Sequence, residues 1–460
     1  MTKGKIMHDP IDQLARFVAE TGWDEIPEAV RQHAKLVLLD TIGVILAGSE
    51  QPEVRQIRSQ LLPNSGAGAT VFTRNCPVSS PHTAALLNGI AGRSIELCEG
   101  HRYVSCQGAI QIVPTVLALG ESGARSGRDL LSALILGYDT AVRIGSGVTP
   151  RALAHQNGQA PLLGAVAAGA RLRGLNTADT GRALRLAATL LLTPSYTNAV
   201  AGATVLNVAG GMSGFIGALA PELALAGFEA QDNAIAEAFS SLVGDGFQPA
   251  GIADALGQRW EISRNYFRLR ACCNPIYAAL DALEAILDDL KPAADAVDRI
   301  DAATYQFASA MQNPTPRNTF AARYSFPHAA AALVIKGHAG FDAFTEDVVH
   351  DPAMAALRQR VHLTADPALS AQAPQLKPAR VTLTLKDGQQ QTRLCESARG
   401  DFQRPYAESE LREKFHQLAA IVLTQDGVNA LETSLGRCDQ WANTQELTDV
   451  IRSHSRPAAI

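Results

Sequence analysis

The chain has 460 residues, long enough for two or three domains, and its composition, 47% hydrophobic and 18% charged, describes a globular protein with ample core. A net charge of only −5 argues against a basic face for nucleic acid or an anionic membrane. Seven cysteines (Cys76, Cys98, Cys106, Cys272, Cys273, Cys395, Cys438) in a chain of this length do not form a disulfide framework. None has C-x-x-C spacing and Cys272 adjoins Cys273, so neither a zinc site nor an iron–sulfur cluster is expected.

The opening M-T-K-G-K-I-M-H-D-P lacks the apolar core of a signal peptide. The apolar stretch from Leu36 to Ala47 carries Asp40 and is far shorter than the roughly 20 residues a membrane span needs, so a cytoplasmic protein is expected. Ile11, Leu14 and Val18 recur at helical spacing. Pro27 suits a helix start, with Val30, Ala34, Val37, Leu38 and Ile42 following on one face. Alanine-rich segments at 128–147, 160–173, 178–192 and 210–227 read as further helices, and small residues such as Gly164, Ala165, Ala168 and Gly169 permit close approach. Apolar nearly all round, these helices predict a large, mostly buried all-α domain over residues 1–266. The glycines at 202, 210, 211 and 214 have no G-K-[ST] and no preceding strand, which favours tight helix packing or a loop near a pocket over a nucleotide site.

After Tyr266 the pattern changes. I-D-A-A-T-Y-Q-F from Ile300, R-V-H-L-T-A from Arg360 and R-V-T-L-T-L from Arg380 alternate with period two, and Asp387–Gly388 is a hairpin signal. Helical stretches at 274–290 and 325–337 lie between them, so residues 267–399 read as a smaller α+β domain. From Glu408 amphipathic helices return (Leu411, Phe415, Leu418), predicting that residues 400–460 pack back on the first domain.

The segment from Arg93 to Pro114 interrupts this apolar background. Within fifteen positions it holds Arg93, Glu96, Cys98, Glu99, His101, Arg102, Cys106 and Gln107. Such polar density between buried helices is unfavourable unless the groups are paired or used, so this is the expected active-site loop.

Several segments together resemble the MmgE/PrpD family: L-D-T-I-G-V-I-L-A-G (39–48), L-N-G-I-A-G-R-S (87–94), V-P-T-V-L-A-L-G-E (113–121), L-G-Y-D-T-A-V-R-I-G (136–145), A-C-C-N-P-I-Y-A-A-L-D-A-L (271–283) and R-G-D-F-Q-R-P (399–405). Their order and spacing carry the resemblance. It implies a mostly α fold, with a helical domain built from both chain ends, an α+β lid between them, and a homodimer. It also implies chemistry without cofactor or metal on a small di- or tricarboxylic acid at the inter-domain cleft.

The resemblance also exposes departures. Where the family's loop reads close to L-D-x-D-D-T-H and then His-Pro, this chain has I-E-L-C-E-G-H (95–101) and Gln107-Gly108. G-F-H-P-T-G-T falls on L-A-H-Q-N-G-Q (153–159), retaining His155; M-T-K-R-L-H-x-G falls on T-V-L-N-V-A-G-G (204–211), losing the lysine to Leu206 and the arginine to Asn207. In the lid, Arg268 stands for a lysine and Tyr277 for a histidine. The expected catalytic set is therefore His155, Tyr277, Glu96 and His101, with Arg102, Gln107, Asn157, Asn207 and Arg268 on the substrate. His155 serves as base or acid, Tyr277 as donor, and Glu96 or Glu99 as orienter of a histidine. Arg93, Arg102 or Arg268 provides a carboxylate clamp. Tyr277 equally fits a core tyrosine, Arg102 and Arg268 fit ion-pair partners, and Cys98 and Cys106 fit buried fillers. Dehydration is the default reaction. Decarboxylation or epimerisation of a related acid is the alternative, and a catalytically silent ligand-binding or scaffold homologue is the reading from another class.

Overall fold

The computed structural model describes residues 9–62, 68–104 and 106–457. The first eight residues, read above for a leader, and Ser105 of the polar loop lie outside them. The fold is mostly α, with a few small sheets.

The helical part is built from α1 (Pro10–Glu20), α2 (Glu28–Gly48), α3 (Pro81–Arg93), α4 (Gly108–Ser122), α5 (Gly127–Ser146), α6 (Ala160–Leu172), α7 (Thr177–Ala187) and α8 (Leu206–Leu225). Asp9 caps α1 by accepting from the Ile11 amide at 3.0 Å, and Ile11, Leu14 and Val18 turn inward. Helices α4 and α6 are buried along almost their whole length, as sequences apolar on every face require. Gly210, Gly211 and Gly214 of the glycine-rich stretch lie in the first half of α8, packed tightly against α3, while Gly202 sits in the turn before it at φ +75°. A Cβ on Gly89 would lie 2.7 Å from the Gly211 Cα, so both positions need glycine for the backbones to meet. Val205–Leu225 is long and apolar enough to cross a bilayer, but 61% of its apolar window is buried among its neighbours, as in a core helix.

The second part carries a four-stranded sheet of β1 (Val297–Thr304), β2 (Val361–Ala365), β3 (Ala379–Leu385) and β4 (Gln390–Cys395), in the order β4-β3-β1-β2. Strands β1 and β2 are parallel, with Ile300 opposite Val361; β1–β3 and β3–β4 are antiparallel, with Ile300 and Gln391 both opposite Leu383. Asp387–Gly388 makes the hairpin turn, with Gly388 at φ +91°. Helices α9 (Tyr277–Leu290) and α10 (Phe326–Lys336) accompany the sheet. The chain enters and leaves this part side by side, the Phe267 amide donating to the Gly400 carbonyl at 2.9 Å.

Of the last helices, α11 (Glu408–Ala419) and α12 (Gln425–Gly436) lie against α2, and α13 (Gln445–His454) packs on α12. Phe415 of α11 packs against Gly43 of α2. Beside it Lys414 forms a buried pair with Asp40 at 2.6 Å and donates to the Leu97 carbonyl at 2.8 Å. Helix α11 thus braces the polar loop from behind.

Candidate active site

Helix α3 ends on Arg93, whose side chain is wholly buried, and the loop that follows turns through Glu96 at φ +55°. A non-glycine residue there is strained, and persists only where its surroundings hold it. Here they do. Arg93 Nη1 donates to Glu96 Oε2, and the Tyr324 hydroxyl accepts from Arg93 Nη2 at 2.8 Å while donating to Glu96 Oε2 at 3.0 Å. On the other oxygen, Arg268 Nη1 donates at 2.6 Å and Gln107 Nε2 at 3.2 Å. Burial alone would push the Glu96 carboxyl upward, but Arg93 and Arg268 outweigh it and hold the group far below the usual carboxylate range. Two guanidiniums on one carboxylate leave the cluster with one positive charge in excess.

This cluster forms the floor of a cavity of about 560 Å3 between the helical part and the lid, within the roughly 300–1,000 Å3 typical of small-molecule sites. Glu96, Gln107, His155 and Arg268 all line it. Behind Gln107, Asn157 Nδ2 donates to Gln107 Oε1 at 2.9 Å, and Gln111 Nε2 donates to Asn157 Oδ1 at 3.2 Å, so the amides form a fixed chain into the core.

His155 is positioned by its backbone amide, which donates to the Pro194 carbonyl at 2.9 Å, and by its ring, 4.3 Å from that of Tyr196. Its Nδ1 accepts from the Asn157 amide at 3.2 Å, which assigns the ring proton to Nε2 in the neutral form. Burial, and then Arg93 and Arg268, drive its pKa down to about 3, against a partial opposing effect of Glu96. At neutral pH His155 is therefore an uncharged donor. It is a poor base.

The remaining residues expected at the site are elsewhere. Tyr277 is wholly buried at the start of α9 and donates its hydroxyl to the Arg270 carbonyl, so it is a core tyrosine. His101 sits behind the loop, 3.4 Å from Glu261 Oε2, in the short ladder that pairs Gly100–His101 with Asn265–Tyr266. Arg102 is bound to Asp401 and Gln403, fastening the loop to the segment that leaves the lid. Asn207, in the first turn of α8, and Asn157 do not line the cavity, although Asn157 supports Gln107. Arg93 is fully enclosed by Glu96 and Tyr324, and acts on the cavity through them. Glu99 orients no histidine: it accepts from the Ala109 amide at 2.7 Å and the Tyr138 hydroxyl at 2.8 Å. Burial raises the Cys98 thiol to about 11 and Cys106 further still, so neither is a thiolate at neutral pH.

Sequence reasoning missed a tyrosine-rich wall and a lysine. Five of the eight tyrosines (Tyr103, Tyr196, Tyr266, Tyr305, Tyr324) line the cavity, drawn from five separate segments. Lys377, in the lid segment just before β3, reaches the cavity and donates to the Arg102 carbonyl at 3.2 Å. Burial, reinforced by Arg102 and Arg268, lowers it to about 8. The aromatic scarcity of the chain was a usable signal for the tyrosines; nothing local distinguishes Lys377.

Comparison with known families returns the MmgE/PrpD N-terminal domain over residues 12–249 and the MmgE/PrpD C-terminal domain over residues 271–436. The chain belongs to the MmgE/PrpD family. Among relatives, a cis-aconitate decarboxylase-like protein of Aspergillus oryzae is 24% identical, covering 95% of this chain and 96% of its own length. Cis-aconitate decarboxylase of Homo sapiens is 25% identical over 94% and 92%. The enzyme of that name from Aspergillus terreus is 21% identical over 95% of each. Family and relatives together support an enzyme of the MmgE/PrpD lyase group.

Proposed function

We propose that the protein is a lyase that releases CO2 from a small unsaturated di- or tricarboxylic acid, cis-aconitate or a close relative. One observation carries the reading. Glu96, the single carboxylate lining the cavity among the described residues, is held ionised between two arginines, and the histidine beside it is neutral. Dehydration and epimerisation begin by removing a carbon-bound proton, which requires a base. Glu96 is too weak for this, His155 is weakened by burial and by positive charge, and Lys377, at about 8, is mostly protonated at neutral pH. Decarboxylation of an unsaturated acid needs no base. The bond to the departing carboxylate breaks, and its electron pair forms the new double bond. The old π pair takes a proton at the carbon beside a second carboxylate, and CO2 leaves.

That transition state gathers negative charge on the retained carboxylate, where fixed donors stabilise it without reorganisation. Arg268 and the His155 Nε2–H provide such donors, with the Tyr324 hydroxyl at the same end of the cavity. Lys377 is the group best suited to deliver the proton. It makes a single hydrogen bond to a carbonyl, and its value of about 8 keeps it charged but ready to release a proton at neutral pH. Burial drives Tyr266 up to about 12 and Tyr324 well above its ordinary value, so the phenols are weaker acids.

The test is CO2 release from cis-aconitate and a panel of four- to six-carbon unsaturated acids, with products identified by NMR. Product one carbon shorter supports the reading. Hydration or dehydration products with all carbons retained would replace it by the dehydratase reading, and silence across the panel by the scaffold reading.

A further inference from the structure

Gln111 lies in the first turn of α4, a helix apolar on nearly every face, and its side chain is wholly buried. An amide in such a place destabilises the core unless it is fully bonded. All four of its hydrogen-bonding positions are used. Oε1 accepts from the Gly158 backbone amide at 2.7 Å and from the Ser213 hydroxyl at 2.9 Å. Nε2 donates to the Gln107 carbonyl at 2.9 Å and to Asn157 Oδ1 at 3.2 Å. A backbone N–H can only donate and a backbone carbonyl can only accept, so the two ends of the Gln111 amide cannot be exchanged.

That fixed sense passes along the chain. Asn157 Oδ1 is taken as an acceptor, so its Nδ2 faces Gln107 Oε1, 2.9 Å away, and Gln107 Nε2 is turned to Glu96 at the cavity floor, at 3.2 Å. The ionised Glu96 carboxylate accepts only, and pins the far end in the same sense. Of the two protons on Gln107 Nε2, Glu96 takes one; the other has no partner among the described residues of the cavity that Gln107 lines. The neighbouring backbone amide, that of Asn157, sets the His155 ring by the same logic. Two consecutive N–H groups thus determine what two side chains show to the cavity.

We propose that Gln111, which does not line the cavity, is a positioning residue: through Asn157 it holds Gln107 with an N–H rather than a carbonyl oxygen toward the substrate, so that this part of the floor selects an ionised carboxylate over a carboxamide. The inference rests on the reading of the cavity as a carboxylic-acid site, and deepens it by naming what sets the sense of the polar contact.

The experiment is calorimetric titration of the full-length protein with succinate and with succinamate, its carboxamide counterpart. Both are saturated, so binding is read apart from the reaction. Gln107→Met should lower succinate affinity by about tenfold to a hundredfold, as loss of a hydrogen bond to a charged group does. Gln111→Met frees Gln107 to turn either way, so the preference for succinate over succinamate should fall by about tenfold, a readout that general loosening of the fold does not move. Combined with Gln107→Met it should add nothing, because it acts through that residue. Asn157→Ala breaks the chain one step nearer the cavity while keeping the backbone amide on His155, and carries the same test should Gln111→Met fail to fold. A folded variant of either kind that keeps the wild-type preference, or whose loss adds to that of Gln107→Met, overturns the inference. If decarboxylation fails in every substrate while the preference falls as expected, the reaction assignment falls and the positioning role stands. Failure of wild type to bind either ligand overturns both the carboxylic-acid reading and the role of Gln111.

Discussion

The Glu96 carboxylate accepts from Arg268 Nη1 at 2.6 Å, joining the loop after α3 to the first turn of chain inside the lid. Each partner is almost wholly buried, so the contact sets both the charge of the cavity and the seating of the lid. Arg268→Met should keep the fold, because Arg93 still neutralises Glu96, but should lower kcat/KM by about a hundredfold to a thousandfold, as loss of a preorganised donor does. Steady-state kinetics with circular dichroism as a fold control checks this; unchanged turnover would remove Arg268 from the site.

Glu96→Gln tests the same pair through stability. The folded-state pKa of Glu96 is depressed, so its contribution is present above the unfolded carboxylate range and lost as pH falls through the folded value. Urea unfolding should show wild type well ahead of Glu96→Gln at pH 7, with the gap narrowing below about pH 4. A gap that stays constant down to pH 3 would contradict the assignment of an ionised carboxylate.

Lys377 is expected to set the alkaline limb of the pH profile. The ammonium is the active form, so kcat should fall as pH rises through about 8. Lys377→Arg should move that limb upward, and Lys377→Gln should lower kcat by about a hundredfold while changing KM less. A limb that persists unmoved in both variants would assign it to another group.

His155 gives a spectroscopic prediction. With Nδ1 accepting from the Asn157 amide and the pKa drawn down to about 3, the ring should give one neutral, Nε2-protonated nitrogen-15 signature from pH 5 to 8. His155→Ala should lose activity while retaining its fold. A ring that titrates near its ordinary value of about 6.5 would restore it as a candidate base.

The brace behind the loop can be tested without touching the cavity. Lys414→Met leaves Asp40 buried without its partner and should cost about 3–5 kcal/mol in unfolding free energy, whereas Asp40→Leu combined with Lys414→Met should recover most of that. Equal destabilisation in the single and double variants would show that the charge is not the issue.

The residues legible in the sequence were those whose local setting announced them. The alternating runs around Ile300 and Arg380 and the Asp387–Gly388 turn revealed the sheet, because period two and a φ-positive glycine leave a local trace. The dense loop after Arg93 revealed Glu96 and Gln107, and segment likeness revealed His155 and Arg268; all four line the cavity. Tyr277 and His101 misled because a satisfied hydroxyl or a ring packed beside a glutamate looks the same in sequence as a free one. Tyr196 and Tyr324 were marked only by the scarcity of aromatics, and Lys377 by nothing local, because each is a single polar residue in an unremarkable segment. Only the closing of the lid on the helical part brings them together. The preference for dehydration likewise came from likeness; the proposal of decarboxylation rests instead on the charge states of Glu96 and His155, which depend on partners that only the fold brings together.

The central claim is that this cavity supplies an acid and cations but neither a carboxylate nor an imidazole basic enough to remove a carbon-bound proton, and its most direct test is the reaction in D2O. With cis-aconitate as substrate, NMR should show product that has lost one carbon and gained a single deuterium at the carbon beside the retained carboxylate, with no deuterium in the remaining substrate. Deuterium accumulating in recovered substrate, without release of CO2, would show that a base removes a carbon-bound proton here and would contradict the account.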